Sequence, residues 1–179
     1  MSDSVFVTLE TALGAFTVEL FEQKAPLTTA NFLAYVDSGR YDGSSIFRIV
    51  NPDNQDAEDP VRISVIHGGT RPLAPSNLPM IALETTRQTG LSHRHGTLSL
   101  GREAADSAEG DFFVCISDQP HFDYGGARHP DGLGFAAFGQ VCAGMAVVEA
   151  IWGRAGAQEY LEPEEEIRIL RAYRQPRGL

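Results

Sequence analysis

Ala25-Pro26-Leu27-Thr28-Thr29-Ala30-Asn31-Phe32, with Gly39-Arg40-Tyr41-Asp42-Gly43 shortly after it, is the stretch on which the reading of the fold turns. Pro26 interrupts an extended pattern, Thr28 or Thr29 offers a capping hydroxyl, and Ala30, Leu33, Ala34 and Asp37 fall on adjoining turns with Phe32 and Val36. Gly39 closes the run, so a short amphipathic helix is predicted. On its N-terminal side Val5, Val7 and Leu9 alternate with Phe6, Thr8 and Glu10, and after a turn at 12–14 the stretch 16–21 alternates again. A hairpin therefore precedes the helix.

On the C-terminal side, β-like runs at 46–50, 61–67, 97–100, 112–116, 135–141 and 167–173 bring the predicted strands to about eight. Residues 144–152 carry Met145, Val148, Ile151 and Trp152 at helical spacing before Gly153, which gives a second helix. Many strands, few helices and no strand-helix-strand alternation define a mainly β protein. The expected architecture is a closed eight-stranded antiparallel β-barrel capped by two α-helices, since closure removes exposed sheet edges. The polar, proline-containing stretches 51–60 and 71–79 read as loop insertions between strands, so residues 1–179 are expected to form a single domain.

With 42% hydrophobic and 21% charged residues the chain has enough apolar material for a core and lacks the bias of disordered sequences. A formal net charge of −10, without any run of Lys or Arg, opposes binding to a polyanion, so no nucleic-acid partner is expected. Met1-Ser2-Asp3-Ser4 leads into strand-like sequence with no basic or apolar leader and no bilayer-length segment. A soluble, cytoplasmic protein without a membrane partner is the expectation. Cys115 and Cys142 sit in apolar contexts and are expected to be buried free thiols.

His93 and His95 would share a face of an extended segment, but without a third ligand they read as surface histidines and no metal is expected. The acidic group 162–166 lacks the spacing and central glycine of a calcium loop and reads as a solvated turn. Gly125-Gly126 and Gly132-Leu133-Gly134 have phosphate-loop composition without the strand-to-helix setting, and read as turns.

The opening stretch resembles the first-helix signature of cyclophilins, A-P-x-T-x-x-N-F before G-x-Y-x-G. Further segments resemble the same family in order: Ser45-Ile46-Phe47-Arg48-Ile49-Val50, His67-Gly68-Gly69, Gly96-Thr97-Leu98-Ser99-Leu100-Gly101, Asp111-Phe112-Phe113-Val114, His121-Phe122-Asp123, Phe138-Gly139-Gln140-Val141 and Gly144-Met145-Ala146-Val147-Val148. The resemblance implies a peptidyl-prolyl cis-trans isomerase that binds proline-containing segments of client proteins; a monomer is expected, and because the reaction breaks no bond no cofactor is expected. It implies Arg48 as the catalytic residue, and a substrate groove of Phe47, Val65, His67, Gly101, Asp111, Phe113, His121, Phe122 and Phe135. Several of these depart from the family pattern: Phe47 and Phe135 stand for histidines, His67 and Asp111 for glutamines, and His121 for a bulky aromatic.

The chemistry suits these residues. Rotation about a prolyl amide crosses a barrier of roughly 20 kcal/mol without breaking a bond. In the twisted state the nitrogen loses conjugation and becomes a better acceptor, so a fixed cationic donor stabilises that state over both ground states. Arg48 is such a donor, permanently charged and forked, while Val65, Phe113, Phe122 and Phe135 would hold the ring. From pattern alone Arg48 also reads as a solvated outward residue, and His67 as a strand end at a glycine bulge. Phe112 and Phe113, adjacent on a strand, must point to opposite faces. An anionic Asp111 is expected to attract the guanidinium of Arg48, with His67 modulating that pull. The competing reading is a non-catalytic module that holds proline segments in the same groove.

Overall fold

The computed structural model describes residues 4–176; Met1, Ser2 and Asp3 lie outside the described residues. The alternation read at the N-terminus produces β1 (Val5–Thr11) and β2 (Gly14–Leu20), paired from Val5↔Leu20 to Thr11↔Gly14. There follow α1 (Pro26–Asp37), β3 (Ser45–Val50), β4 (Val65–Gly69), α2 (Thr86–Thr89), β5 (Thr97–Leu100), β6 (Phe112–Cys115), β7 (Ala137–Ala143), α3 (Met145–Trp152) and β8 (Ile167–Arg174). The strands close into an antiparallel barrel in the order β1-β2-β7-β5-β6-β4-β3-β8. Period-two alternation sends Val7, Val18, Ile66, Leu98, Phe112, Val114, Phe138 and Ile169 into one interior cluster.

α1 and α3 add Phe32, Leu33, Val36, Val148 and Ile151 to that cluster. Phe32 meets Tyr41, Phe112 and Phe138 with ring centroids 5.2, 5.7 and 5.3 Å away. Pro26 does not stop an element but opens α1, where its missing N–H costs nothing. Neither Thr28 nor Thr29 is the N-cap. The Glu84 carboxylate serves instead, accepting from the Thr28 N–H at 2.7 Å and from its hydroxyl at 2.6 Å.

Among the described residues three α-helices, not two, accompany the barrel. The additional one, α2, is a single turn held by a capping box between Thr85 and Gln88. The strand expected at 61–67 begins only at Val65, because the side chain of Gln55 satisfies the backbone before it: Ile63 N–H donates to Gln55 Oε1 at 2.6 Å, and Gln55 Nε2 donates to the Val61 carbonyl at 3.0 Å. Cys115 is buried, and burial pushes its thiol up; Cys142 is exposed, at odds with the expectation, and both are free.

A bulge between Ile46 and Arg48 makes Phe47 an extra residue in β3, so Arg48 lies opposite His67 while Ile46 lies opposite Gly68. The strands approach closely there: a Cβ on Gly68 would stand 2.5 Å from the Ser45 carbonyl oxygen and 2.7 Å from Ile46 Cα. Gly68→Ala is expected to destabilise the protein by about 1–3 kcal/mol, the usual range for overpacking, read as a lowered urea midpoint at unchanged slope. An unchanged midpoint would show that the β3–β4 contact yields freely.

Candidate active site

The outer face of the same strands carries a second apolar cluster. Val65 of β4 and Phe113 of β6 point away from the barrel interior and pack with Val50, Val61, Ile63, Cys115, Phe122 and Phe135. This cluster floors a cavity of about 780 Å³ whose wall includes Arg48, Val65, His67, Gly101, Asp111, Phe113, Phe122 and Phe135. Phe113, Phe122 and Phe135 form a three-ring cup, with centroids 4.8 Å apart for Phe113 and Phe122 and edge-on contacts at 5.6 and 5.3 Å to Phe135. Gly126 and Gly134 let the following loop press onto the His121–Asp123 backbone, where a Cβ at either position would collide with it. That contact carries Phe122 and Phe135 to the cup, and the Phe135 N–H donates to the Phe122 carbonyl at 2.9 Å.

Arg102 backs the cup from the side. Its guanidinium stands 5.2 Å from the Phe135 centroid, forks onto Asp131 with two 2.9 Å bonds, and donates to the Gly134 carbonyl. This fork holds the Asp131 carboxyl down at about 2.

His93 is not a surface residue. It is 2% exposed and lies behind the cup, stacked on Phe113 at 6.0 Å with an 11° interplanar angle. Its Nδ1–H donates to Asp123 Oδ1 at 2.8 Å, and its Nε2 accepts from the Ser99 hydroxyl at 2.9 Å. Serine, histidine and aspartate thus meet in the hydrogen-bond order of a hydrolase triad. Ser99 is fully buried, however, and neither it nor His93 lines the cavity. The trio is a buried polar strut. His95, by contrast, is exposed, 3.4 Å from Glu149.

Two residues expected in the groove do not line it. His121 is exposed in the 3-10 turn Pro120–Phe122, its side chain off the cavity wall. Phe47 is buried because the bulge folds its ring into a stack between the Arg71 guanidinium, 4.3 Å from its centroid, and the rings of His67 and Tyr160. The expected attraction between Asp111 and Arg48 is likewise replaced. Asp111 Oδ2 accepts from His67 Nε2 at 2.8 Å, and Arg48 donates from Nε and Nη2 to Glu159 Oε2 at 2.9 and 2.6 Å. Gly101 makes room for the His67–Asp111 pair, since a Cβ there would collide with the Asp111 carboxylate.

Other residues on the wall carried no sequence signal. Asp59, from the 51–60 insertion, lies 3.4 Å from Arg128 across the cavity rim, and Tyr160, 58% exposed, stands beside Arg48. Leu73 adopts a left-handed backbone (φ 62°) at the rim, its N–H donating to buried Glu109 at 2.8 Å. Among the described residues no three His, Cys, Asp or Glu side chains gather as a metal site, and no helix is long and apolar enough to cross a membrane.

A closed eight-stranded antiparallel barrel accompanied by helices is the fold of the cyclophilin class. The family model "Cyclophilin type peptidyl-prolyl cis-trans isomerase/CLD" matches residues 6–174. A curated isomerase of Streptomyces antibioticus is 31% identical over 148 residues, covering 82% of each chain. Peptidyl-prolyl cis-trans isomerase B of Escherichia coli is 28% identical over 166 residues, covering 90% of this chain and 94% of its own. A solved cyclophilin-type isomerase of Cryptosporidium parvum superposes with a TM-score of 0.72 at 18% identity over 97% of this chain and 98% of its own, a likeness of fold. The same Cryptosporidium protein has been solved in the presence of the dipeptide Ala-Pro. The chain belongs to the cyclophilin-type peptidyl-prolyl cis-trans isomerase family. Its activity is cis/trans isomerisation of the bond before proline.

The His93 strut has a pH signature. Burial holds the imidazole below its ordinary 6.5, against the opposing pull of Asp123. The unfolded chain then binds a proton near pH 6.5 that the folded chain refuses, so stability is lost as pH falls below that value. The urea midpoint is expected to drop between pH 7 and 5, and less steeply in His93→Gln. Equal slopes in the two proteins would show that His93 does not titrate against folding.

Proposed function

We propose that Arg48 is the residue that lowers the isomerisation barrier, and that the cup of Phe113, Phe122 and Phe135 with Val65 receives the proline ring. The reading rests on one observation: a permanently charged guanidinium held at the edge of an apolar three-ring floor, on the wall of the same cavity. Held by its ring, the proline leaves the preceding carbonyl as the part that swings, while the nitrogen gains basicity as conjugation is lost. A fixed cation there favours the twisted state by charge and hydrogen bonding, and no proton moves. His67, Asp111 and Gly101 would border the path of the backbone on either side of the proline.

The substrates we infer are exposed Xaa-Pro segments of other proteins during their folding, met by a monomeric, single-domain protein in the cytoplasm. The net charge of −10 argues against a nucleic-acid partner, and the structure of the Cryptosporidium relative solved in the presence of Ala-Pro supports a proline-peptide ligand.

Arg48→Ala is expected to lower kcat/KM on a short proline peptide by ~10²-fold, the scale on which removal of a preorganised donor acts, with the thermal midpoint nearly unchanged. If the variant turns over as fast as the parent, Arg48 is not the donor. If the parent itself leaves the relaxation rate at its uncatalysed value, the groove only binds.

A further inference from the structure

The acceptor that holds Arg48 comes from a segment no motif marked. β8 pairs with β3 only at Ser45 and Ile46. Beyond that point the edge of β3 is taken up by residues 159–161: the Ile49 N–H donates to the Glu159 carbonyl at 2.8 Å, the Leu161 N–H donates to the Phe47 carbonyl at 2.9 Å, and Arg48 and Tyr160 form a bridge. Asn54 Nδ2 ties the approach to this segment, donating to the Ile49 and Gly156 carbonyls at 2.9 and 3.2 Å. The backbone of Glu159 is therefore fixed to β3 on both sides of Arg48, and so is the place from which its carboxylate reaches.

Both carboxylate contacts fall on one edge of the guanidinium, Nε at 2.9 Å and Nη2 at 2.6 Å, and each side chain is 17% exposed. The Tyr160 ring supports the group at 5.4 Å, and Phe47 stacks on Tyr160 at 6.5 Å with a 7° interplanar angle. Of the five N–H donors of an arginine, the two engaged leave three free, including both on Nη1, which has no hydrogen-bond partner among the described residues.

We propose that Glu159 is a positioning residue for prolyl isomerisation: it locks the guanidinium of Arg48 by its Nε–Nη2 edge, so that Nη1 is presented to the substrate in one orientation. This rests on the reading of Arg48 as the donor. A free arginine side chain has many rotamers, and one that must be found at each turnover dilutes the productive geometry; a carboxylate that selects it beforehand removes that dilution. The effect belongs to the twisted state, so it acts on kcat and leaves KM nearly alone.

The test is steady-state kinetics on a proline peptide for Glu159→Ala, Glu159→Gln and Glu159→Asp, alone and on Arg48→Ala. Glu159→Ala is expected to lower kcat ~10-fold with KM changed less than about twofold, because orientation alone is lost. Glu159→Gln keeps an acceptor within reach and is expected to recover most of that loss. Glu159→Asp keeps the charge but not the reach, and is expected to fall below Glu159→Gln; it also carries the test should the alanine variant not fold. On Arg48→Ala, Glu159→Ala is expected to add nothing. Parent-like kcat in both Glu159→Ala and Glu159→Asp, or a loss that persists undiminished on Arg48→Ala, overturns the positioning role while leaving Arg48 as donor. Full activity of Arg48→Ala alone overturns the donor reading and this inference with it.

Discussion

The register between β4 and β6 decides what this barrel can do. His67 lies opposite Phe113 and Ile66 opposite Val114, so one set of side chains fills the interior and the other lines the cavity. Side chains on a strand alternate strictly, and a slip of one residue would send Phe113 into the barrel and Phe112 into the groove. Two buried clusters, one on each face, oppose that slip. The bulge at Phe47 then supplies what alternation alone does not: it reaims β3 so that Arg48 comes opposite His67 at the edge of the outer cluster.

Charge at the cavity is handled by pairing within the chain. Arg48 meets Glu159, Arg128 meets Asp59 and Arg102 meets Asp131, while the Asp111 carboxylate accepts a hydrogen bond from His67. Half-buried ions cost desolvation, and partners with fixed geometry offset much of it, so such pairs contribute more to arrangement than to net stability. The apolar cup of Phe113, Phe122 and Phe135 beside them is a surface of carbon. Arginine, unlike histidine or lysine, keeps its charge through this arrangement at any ordinary pH.

Much of this architecture is legible in the sequence, because it is local. The hairpin, α1, α3 and the opposite faces of Phe112 and Phe113 follow from periodicity, and the ordered motifs single out Arg48 and the aromatic cup. What is not legible is set by contacts between distant segments. Glu159 reaches Arg48 and Glu84 caps α1 across more than fifty residues, with no spacing rule to connect them. His93 looks like a surface histidine until Asp123 and Ser99 are folded around it. His121 and Phe47 are misplaced by motif position for related reasons: a turn leaves one exposed, and an extra strand residue tucks the other's ring beneath Arg71 and Tyr160. The Thr85-to-Gln88 capping box is the exception, a local signal in plain view that points to α2.

Catalysis is distinguished from binding by exchange spectroscopy of a proline peptide with a substoichiometric amount of the protein. Uncatalysed cis and trans forms interconvert over tens of seconds. Exchange cross-peaks between the two forms are expected at mixing times well below that, with peptide in large excess. Peptide resonances that shift on binding while cis and trans interconvert no faster than in buffer would contradict catalysis.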